Sequence, residues 1–193
     1  MPNDWGDVEL DAKGMRALAH PVRLAILGRL REHGPDNATR LAPHVGASPS
    51  VTSWHLRHLA EHGLVEDAPS DGRGRQRWWQ AVGRGLRFGG GEDPSAYREL
   101  MEAMESAEGD LAARWRHEVL PTLPAEWAAA SGRWNTRIRA TPDELHQIDD
   151  AIEALLTPFV ERQRASESGQ PSGAPEARPV RVLRYTMPEG LDA

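Results

Sequence analysis

The chain of 193 residues contains no cysteine. That excludes disulfides, thiolate metal sites and a cysteine nucleophile. Lysine is nearly absent too: Lys13 is the one lysine among 23 basic residues. Arginine dominance suits bidentate contacts, although genome base composition produces the same bias. No apolar run approaches the roughly 20 residues a membrane helix needs. The opening MPNDWGDVELD is acidic and lacks the apolar stretch of a secretory signal. The expectation is a cytoplasmic protein with no membrane partner. Catalytic patterns are missing as well, with no Ser-His-Asp arrangement, no HExxH spacing and no phosphate-binding loop. Gly89-Gly90-Gly91 is not such a loop, because neither a strand nor a capped Lys-Ser/Thr surrounds it. No enzyme activity and no cofactor are expected.

The net charge of −6 argues against nucleic acid until its distribution is read. Residues 12–88 hold 12 basic and 6 acidic residues, whereas residues 89–193 hold 11 and 19, and residues 1–11 form an acidic tail with four acids. A basic segment beside an acidic one fits a DNA-binding module joined to a part with another task.

The most informative stretch is ASPSVTSWHLRHLAEHGLV, from Ala47 to Val65. Ser48 stands as a helix N-cap, Pro49 follows at the first helical position, and Gly63 closes the helix. Helical spacing puts Val51, His55, Leu56 and Leu59 on one side and Ser50, Ser53, Trp54, Arg57 and Glu61 on the other. Hydroxyls, an indole and a guanidinium on one face suit a helix entering the major groove, since Arg bridges guanine O6 and N7 and hydroxyls bond phosphates. Alone, the pattern equally describes an amphipathic helix with a solvated face.

The neighbours add weight. Apolar residues at helical spacing between Met15 and Leu30 are interrupted by Pro21, predicting a short helix ending near His20 and a longer one over 21–32. Asn37 or Thr39 caps a short helix over 40–44, and Gly46 makes the turn into the next helix. Two short helices around a tight turn form the helix-turn-helix pattern. Leu64–Asp67 and Arg75–Val82 read as strands flanking the turn-rich Pro69–Gly74, a β-hairpin with Arg73 and Arg75 at its tip and Arg77 behind them. The hairpin completes a winged helix whose tip lies beside phosphates or the minor groove.

Together, ALAHPVRLAILGRL, ASPSVTSWHLRHLAEHGLVE and GRGRQRWWQAV resemble the ArsR-type winged-helix transcriptional regulators, and most nearly their cysteine-free subgroup with a C-terminal extension. The resemblance covers about residues 12–83. It implies a homodimer that binds an inverted-repeat operator in double-stranded DNA and answers a signal, with an unidentified small-molecule effector one possibility. It places Ser50, Ser53, Trp54 and Arg57 against DNA and Arg73 and Arg75 on the backbone, with His55 packed inward. Ser48 and Arg77 complete the expected DNA contacts. The family's metal sensors use cysteines that this chain lacks. Two other clusters have ligand-like spacing: His55, His58 and His62, and Asp143, Glu144, His146, Asp149, Asp150 and Glu153. Each also reads as helix-face chemistry, and no metal is expected.

The expected fold is α+β and mainly helical. After the winged helix of residues 12–88 comes a Gly-rich joint over 89–95, then a C-terminal dimerisation or effector domain over 96–193. Within that domain, 94–120 reads as one long helix, with Gly109 a place for a bend, whose apolar stripe is a dimer seam, a face packed on its own chain, or both. Pro121–Pro124 break it, and 125–130 form a short helix. Strands over 133–140 and 180–187 flank a helix that starts at the capping box Thr141-Pro142-Asp143-Glu144, and residues 166–179 form a mobile linker. Pairing of the two strands would close a small strand–helix–strand unit. Tyr97, Met101, Met104, Trp115, Trp127 and Trp134 are candidates for a dimer interface or an effector pocket. Two functions follow: a sequence-specific DNA-binding regulator, acting as a dimeric repressor, or a winged-helix protein–protein module anchored by Trp54 and Trp79.

Overall fold

The computed structural model describes residues 6–69, 76–91, 93–108, 111–167 and 176–190. The chain divides into two compact units, Met1–Thr136 and Arg137–Ala193.

The first unit begins with β1 (Asp7–Glu9), where only an acidic tail was expected. Asp11 then caps α1 (Ala12–Leu18) by accepting the Gly14 N–H at 2.7 Å. His20 caps α2 (Pro21–His33), its Nδ1 accepting the Val22 N–H at 3.1 Å, and Pro21 sits at the first helical position, so the proline starts a helix instead of breaking one. β2 (Asp36–Asn37) follows, and the Asn37 side chain caps α3 (Ala38–Leu41). After the short turn over Ala42–His44 comes α4 (Pro49–Glu61). The strands β3 (Val65–Ala68) and β4 (Trp78–Ala81) then pair antiparallel, with Val65 opposite Ala81, and β2 joins the other edge of β4. The sheet order is β2-β4-β3, one strand more than the expected hairpin. The tip, residues 70–75, lies outside the described residues.

β5 (Gly85–Arg87) pairs in parallel with β1. Gly83-Arg84-Gly85, glycine-rich like a flexible joint, is thus tied into a strand pair. Gly83 has φ +71°, and a Cβ there would stand 2.5 Å from the Gly6 carbonyl oxygen. A Cβ at Gly85 would meet the Asp7 carboxylate. The glycines permit close approach of two backbones.

The expected joint over 89–95 does not separate a second domain. Asp93 caps α5 (Pro94–Glu108), accepting the Ser95 and Ala96 N–H groups at 3.1 Å each. It also receives Arg16 Nη2 from α1 at 2.7 Å. The Ser95 hydroxyl, which donates to Asp93 at 2.6 Å, together with the Ala96 N–H and Arg16, holds the Asp93 carboxyl well below the usual carboxylate range. Ala96 and Leu100 of α5 are buried with Met15, Leu18, Ile26, Leu27, Leu56, Leu59 and Trp79 in one core. The apolar stripe of α5 thus packs on its own chain. Residues 109–110 lie outside the described residues; after them come α6 (Leu111–Arg114), a wider turn over Trp115–Val119, a tight turn over Leu120–Thr122 and α7 (Ala125–Ala130).

The second unit centres on α8 (Pro142–Glu167). Its predicted capping box is present: the Glu144 carboxylate accepts the Thr141 N–H at 2.7 Å, and the Thr141 hydroxyl accepts the Glu144 N–H at 3.3 Å. The two flanking strands are not. Residues 132–141 and 177–190 run without strand pairing, so the strand–helix–strand closure is corrected. Arg137 reaches Glu189 at 3.0 Å, yet no ladder forms between the segments among the described residues. Two strands without an apolar layer beneath them are marginal in water, and none of the described residues from 137 to 190 is buried. The fold is α+β and mainly helical, and among the described residues its sheets lie in the first unit. No described helix is long and apolar enough to cross a membrane.

Candidate nucleic-acid interface

α4 is fixed at both ends by its own sequence. The Ser48 hydroxyl accepts the Val51 N–H at 3.3 Å, and its carbonyl accepts the Thr52 N–H at 2.8 Å and the Thr52 hydroxyl at 2.9 Å. At the far end Gly63 takes φ +67°. The Leu64 N–H then bonds the Leu59 carbonyl at 3.0 Å while the Gly63 N–H bonds that of Ala60 at 3.0 Å. This pair of bonds is the Schellman closure, which glycine permits without strain. The turn after it delivers Leu64 and Val65 to the core.

Thr52, His55, Leu56 and Leu59 face inward, and all are buried. Val51, expected on that side, is 46% exposed, and Thr52 takes its place. The spacing 52, 55, 56, 59 follows the helical repeat more closely than 51, 55, 56, 59. Thr52 is tolerated inside because its hydroxyl is spent on the Ser48 carbonyl. The outward face therefore carries Ser50, Val51, Trp54 and Arg57, with Ser53 half-buried at its edge.

Trp54 is 53% exposed but not loose. Its ring stacks on His58, with centroids 5.7 Å apart and planes 8° apart, and stands edge-on to His55 at 4.9 Å. His20 lies 4.7 Å from His55, joining the start of α2 to α4. Burial pushes His20, His55 and His58 below the usual imidazole range, and the nearby Arg23 adds to each shift. These imidazoles are neutral at pH 7. Among the described residues no group of three or more His, Asp or Glu side chains is placed to hold a metal ion.

Arg57 extends from the same face and makes one long contact, Nη1 to the Ser53 hydroxyl at 3.4 Å. Arg77 is held quite differently. Its Nε and Nη2 both bond the Asp67 carboxylate, and its guanidinium lies 3.9 Å over the Trp79 ring. The pairing holds Asp67 below its usual range and raises Arg77. Arg77 thus braces the base of the hairpin, a role that its placement beside Arg73 and Arg75 in the sequence did not reveal. The acid in the facing strand was the available signal. Arg73 and Arg75 themselves lie outside the described residues. A cleft of about 130 Å³ lined by Asn37, Thr39, Ser53, Arg57, Arg77 and Trp79 joins α4 to the start of α3 and the base of the hairpin.

These elements form a single surface in which α3, a tight turn and α4 stand beside an antiparallel hairpin. Residues 18–68 match a family of helix-turn-helix domains. The chain carries a helix-turn-helix domain. Domains of this class bind DNA and serve transcription regulators. A solved protein described as a "possible transcriptional regulator for arsenical resistance" is similar, at 28% identity over 55% of this chain and 96% of that one, with a TM-score of 0.31. RV1404 from Mycobacterium tuberculosis is similar at 20% identity, over 76% of this chain and 82% of that one, with a TM-score of 0.33. No curated protein matches the chain.

The helix-turn-helix surface does not draw in the remaining candidates. Tyr97 packs against the core with its ring 6.0 Å from that of Phe88, and Met104 lies on the same core. Met101, Trp115 and Trp127 are half-buried, whereas Trp134 is 80% exposed. Tyr97 and Met104 thus pack on the core of their own chain.

Proposed function

We propose that the protein is a sequence-specific transcriptional regulator that acts as a dimeric repressor on an inverted-repeat operator. The observation that carries this reading is the division of α4: one face is buried in the core while Ser50, Val51, Trp54 and Arg57 are exposed on the other. A helix anchored so firmly by one side presents the other as a rigid probe for the major groove. In this reading Ser48 and Ser50, at the N-terminal turn, bond phosphate. Arg57 reads a guanine edge, and Val51 suits a thymine methyl group. Ser53 sits between them, and Trp54 packs on the sugar–phosphate wall. Arg73 and Arg75 at the hairpin tip contact the backbone beside the minor groove.

Binding of this kind is salt-sensitive, and two copies place half-sites about 10 bp apart or a multiple of it. The test is selection of sheared genomic DNA by the purified protein at about 150 mM salt, with Arg57→Ala in parallel. Enrichment of a palindrome by the natural protein and its loss in the variant are expected. Failure of the folded natural protein to enrich any sequence would overturn the proposal.

A further inference from the structure

The cleft between α4, the start of α3 and the base of the hairpin contains a polar group that the fold does not use. Asn37 lines this cleft and is only 3% exposed. Its Oδ1 accepts the Thr39 and Arg40 N–H groups at 3.1 Å each, which caps α3. Its Nδ2 donates to nothing among the described residues. A donor this deeply buried is costly to leave unmet, so it marks a place where something from solvent takes the bond. The other lining groups say what that is. The Thr39 and Ser53 hydroxyls, the Gln76 amide and the Arg57 guanidinium all donate, and no described Asp or Glu lines the cleft. Arg77 contributes little charge, since Asp67 holds its Nε and Nη2. Arg57, whose contact is the 3.4 Å one to Ser53, supplies the positive charge. Several donors around one cation fit an oxyanion, which accepts many bonds at once. The volume of about 130 Å³ is well below the roughly 300–1,000 Å³ of a drug-sized ligand's pocket, so the occupant is small. The end of α3 is not what makes this site, because Asn37 already takes its first N–H groups.

We propose that this cleft is an effector site for phosphate, free or carried by a small molecule, and that the bound phosphate holds Arg57 beside Ser53 and away from a base edge. A ligand shifts an equilibrium only through contacts that differ between the two states, and Arg57 is that contact here. The release of DNA rests on the reading of α4 given above; the binding of phosphate does not.

The test follows the Asn37 side-chain amide signal by NMR as the full chain is titrated with inorganic phosphate, and in parallel with glycerol phosphate. Chloride holds the ionic strength at about 150 mM, because salt alone weakens DNA binding. A saturable shift is expected, and the tighter of the two probes identifies the source of the phosphate group. Asn37→Asp keeps the oxygen that caps α3 and removes the amide donor, so it should fold and bind phosphate at least about 10-fold more weakly. Thr39→Ala, at an exposed position, should weaken it in the same direction. Operator duplex should bind the natural protein at least about 5-fold more weakly in phosphate than in chloride, and that ratio should approach one in Asn37→Asp. A shift that does not saturate, phosphate affinity unchanged in both variants, or equal duplex affinity in the two salts would overturn the proposal. A matching shift of the Asn37 signal on adding duplex in chloride would give the cleft to the DNA backbone and overturn the effector role. Phosphate binding without any duplex binding would instead remove the operator reading and leave the phosphate site standing.

Discussion

Arg57 and Arg77 look alike in sequence, and the structure assigns them opposite consequences. Arg57 makes one 3.4 Å contact with Ser53 in the free protein, and its head is exposed. Little has to be broken before it turns to a base edge. If it bridges a guanine, Arg57→Ala should cost about 1–3 kcal/mol of binding and relax preference at one position of each half-site. That corresponds to roughly 5- to 150-fold in affinity, at about 1.4 kcal/mol per decade. Stability should change by less than about 0.5 kcal/mol, as for other exposed sites. Arg77 has two bonds to Asp67 and a ring beneath it. Arg77→Ala should lower the melting temperature through the hairpin while weakening DNA binding less than Arg57→Ala does. Fluorescence anisotropy with operator duplex, from about 50 to about 200 mM salt, separates the two. Arg57→Ala with unchanged affinity and preference, or Arg77→Ala as the weaker binder of the pair, would refute the reasoning.

The other predictions concern the core and its ionisation. Leu56→Ala empties a fully buried site and should cost about 2–5 kcal/mol in denaturant unfolding, whereas Val51→Ala should leave stability nearly unchanged and weaken DNA binding. A large stability loss at Val51 would place it inward after all. Gly83→Ala, at φ +71° and against the Gly6 carbonyl, should cost about 1–3 kcal/mol or more; an unaffected unfolding midpoint would contradict the pairing of β1 with β5. His55 is buried, and its proton affinity is depressed first by that burial and then by His20, Arg23 and His58. The unfolded chain takes up the proton first, as pH falls through about 6.5. Stability from the neutral ring is thus full above that value and is lost progressively down to the folded value. Melting temperature should fall between about pH 7.5 and about pH 5.5, and fall less in His55→Gln; equal slopes would remove His55 from the account.

Much of the first unit was legible because its signals are local. Ser48-Pro49 and Gly63 mark the ends of α4 by backbone chemistry that no tertiary contact overrides, and Thr141 and Glu144 do the same for α8. Pro21 had a clear meaning for the same reason. What escaped depends on distant partners. β1 exists because Gly83 and Gly85 let Asp7–Glu9 approach β5, and nothing within residues 7–9 announces that. β2 is two residues long and is a strand only because β4 lies beside it. Val51 and Thr52 exchanged faces because a four-residue apolar count preferred valine, while geometry preferred the hydroxyl that could bond the Ser48 carbonyl. The strands predicted at 133–140 and 180–187 have the right alternation, but alternation describes a segment that suits a sheet and does not supply the neighbour. In the site, the outward residues of α4 were readable apart from Val51. The tie between Arg77 and Asp67 was not, since it depends on how the two strands meet.

The most direct test of the central claim is site-specific photocrosslinking to operator DNA. A photoreactive residue in place of Val51 on α4, and separately in place of Phe159 on α8, would be irradiated in the complex. The account predicts DNA crosslinks from position 51 and none from position 159. DNA crosslinks from 159 and none from 51 would contradict it.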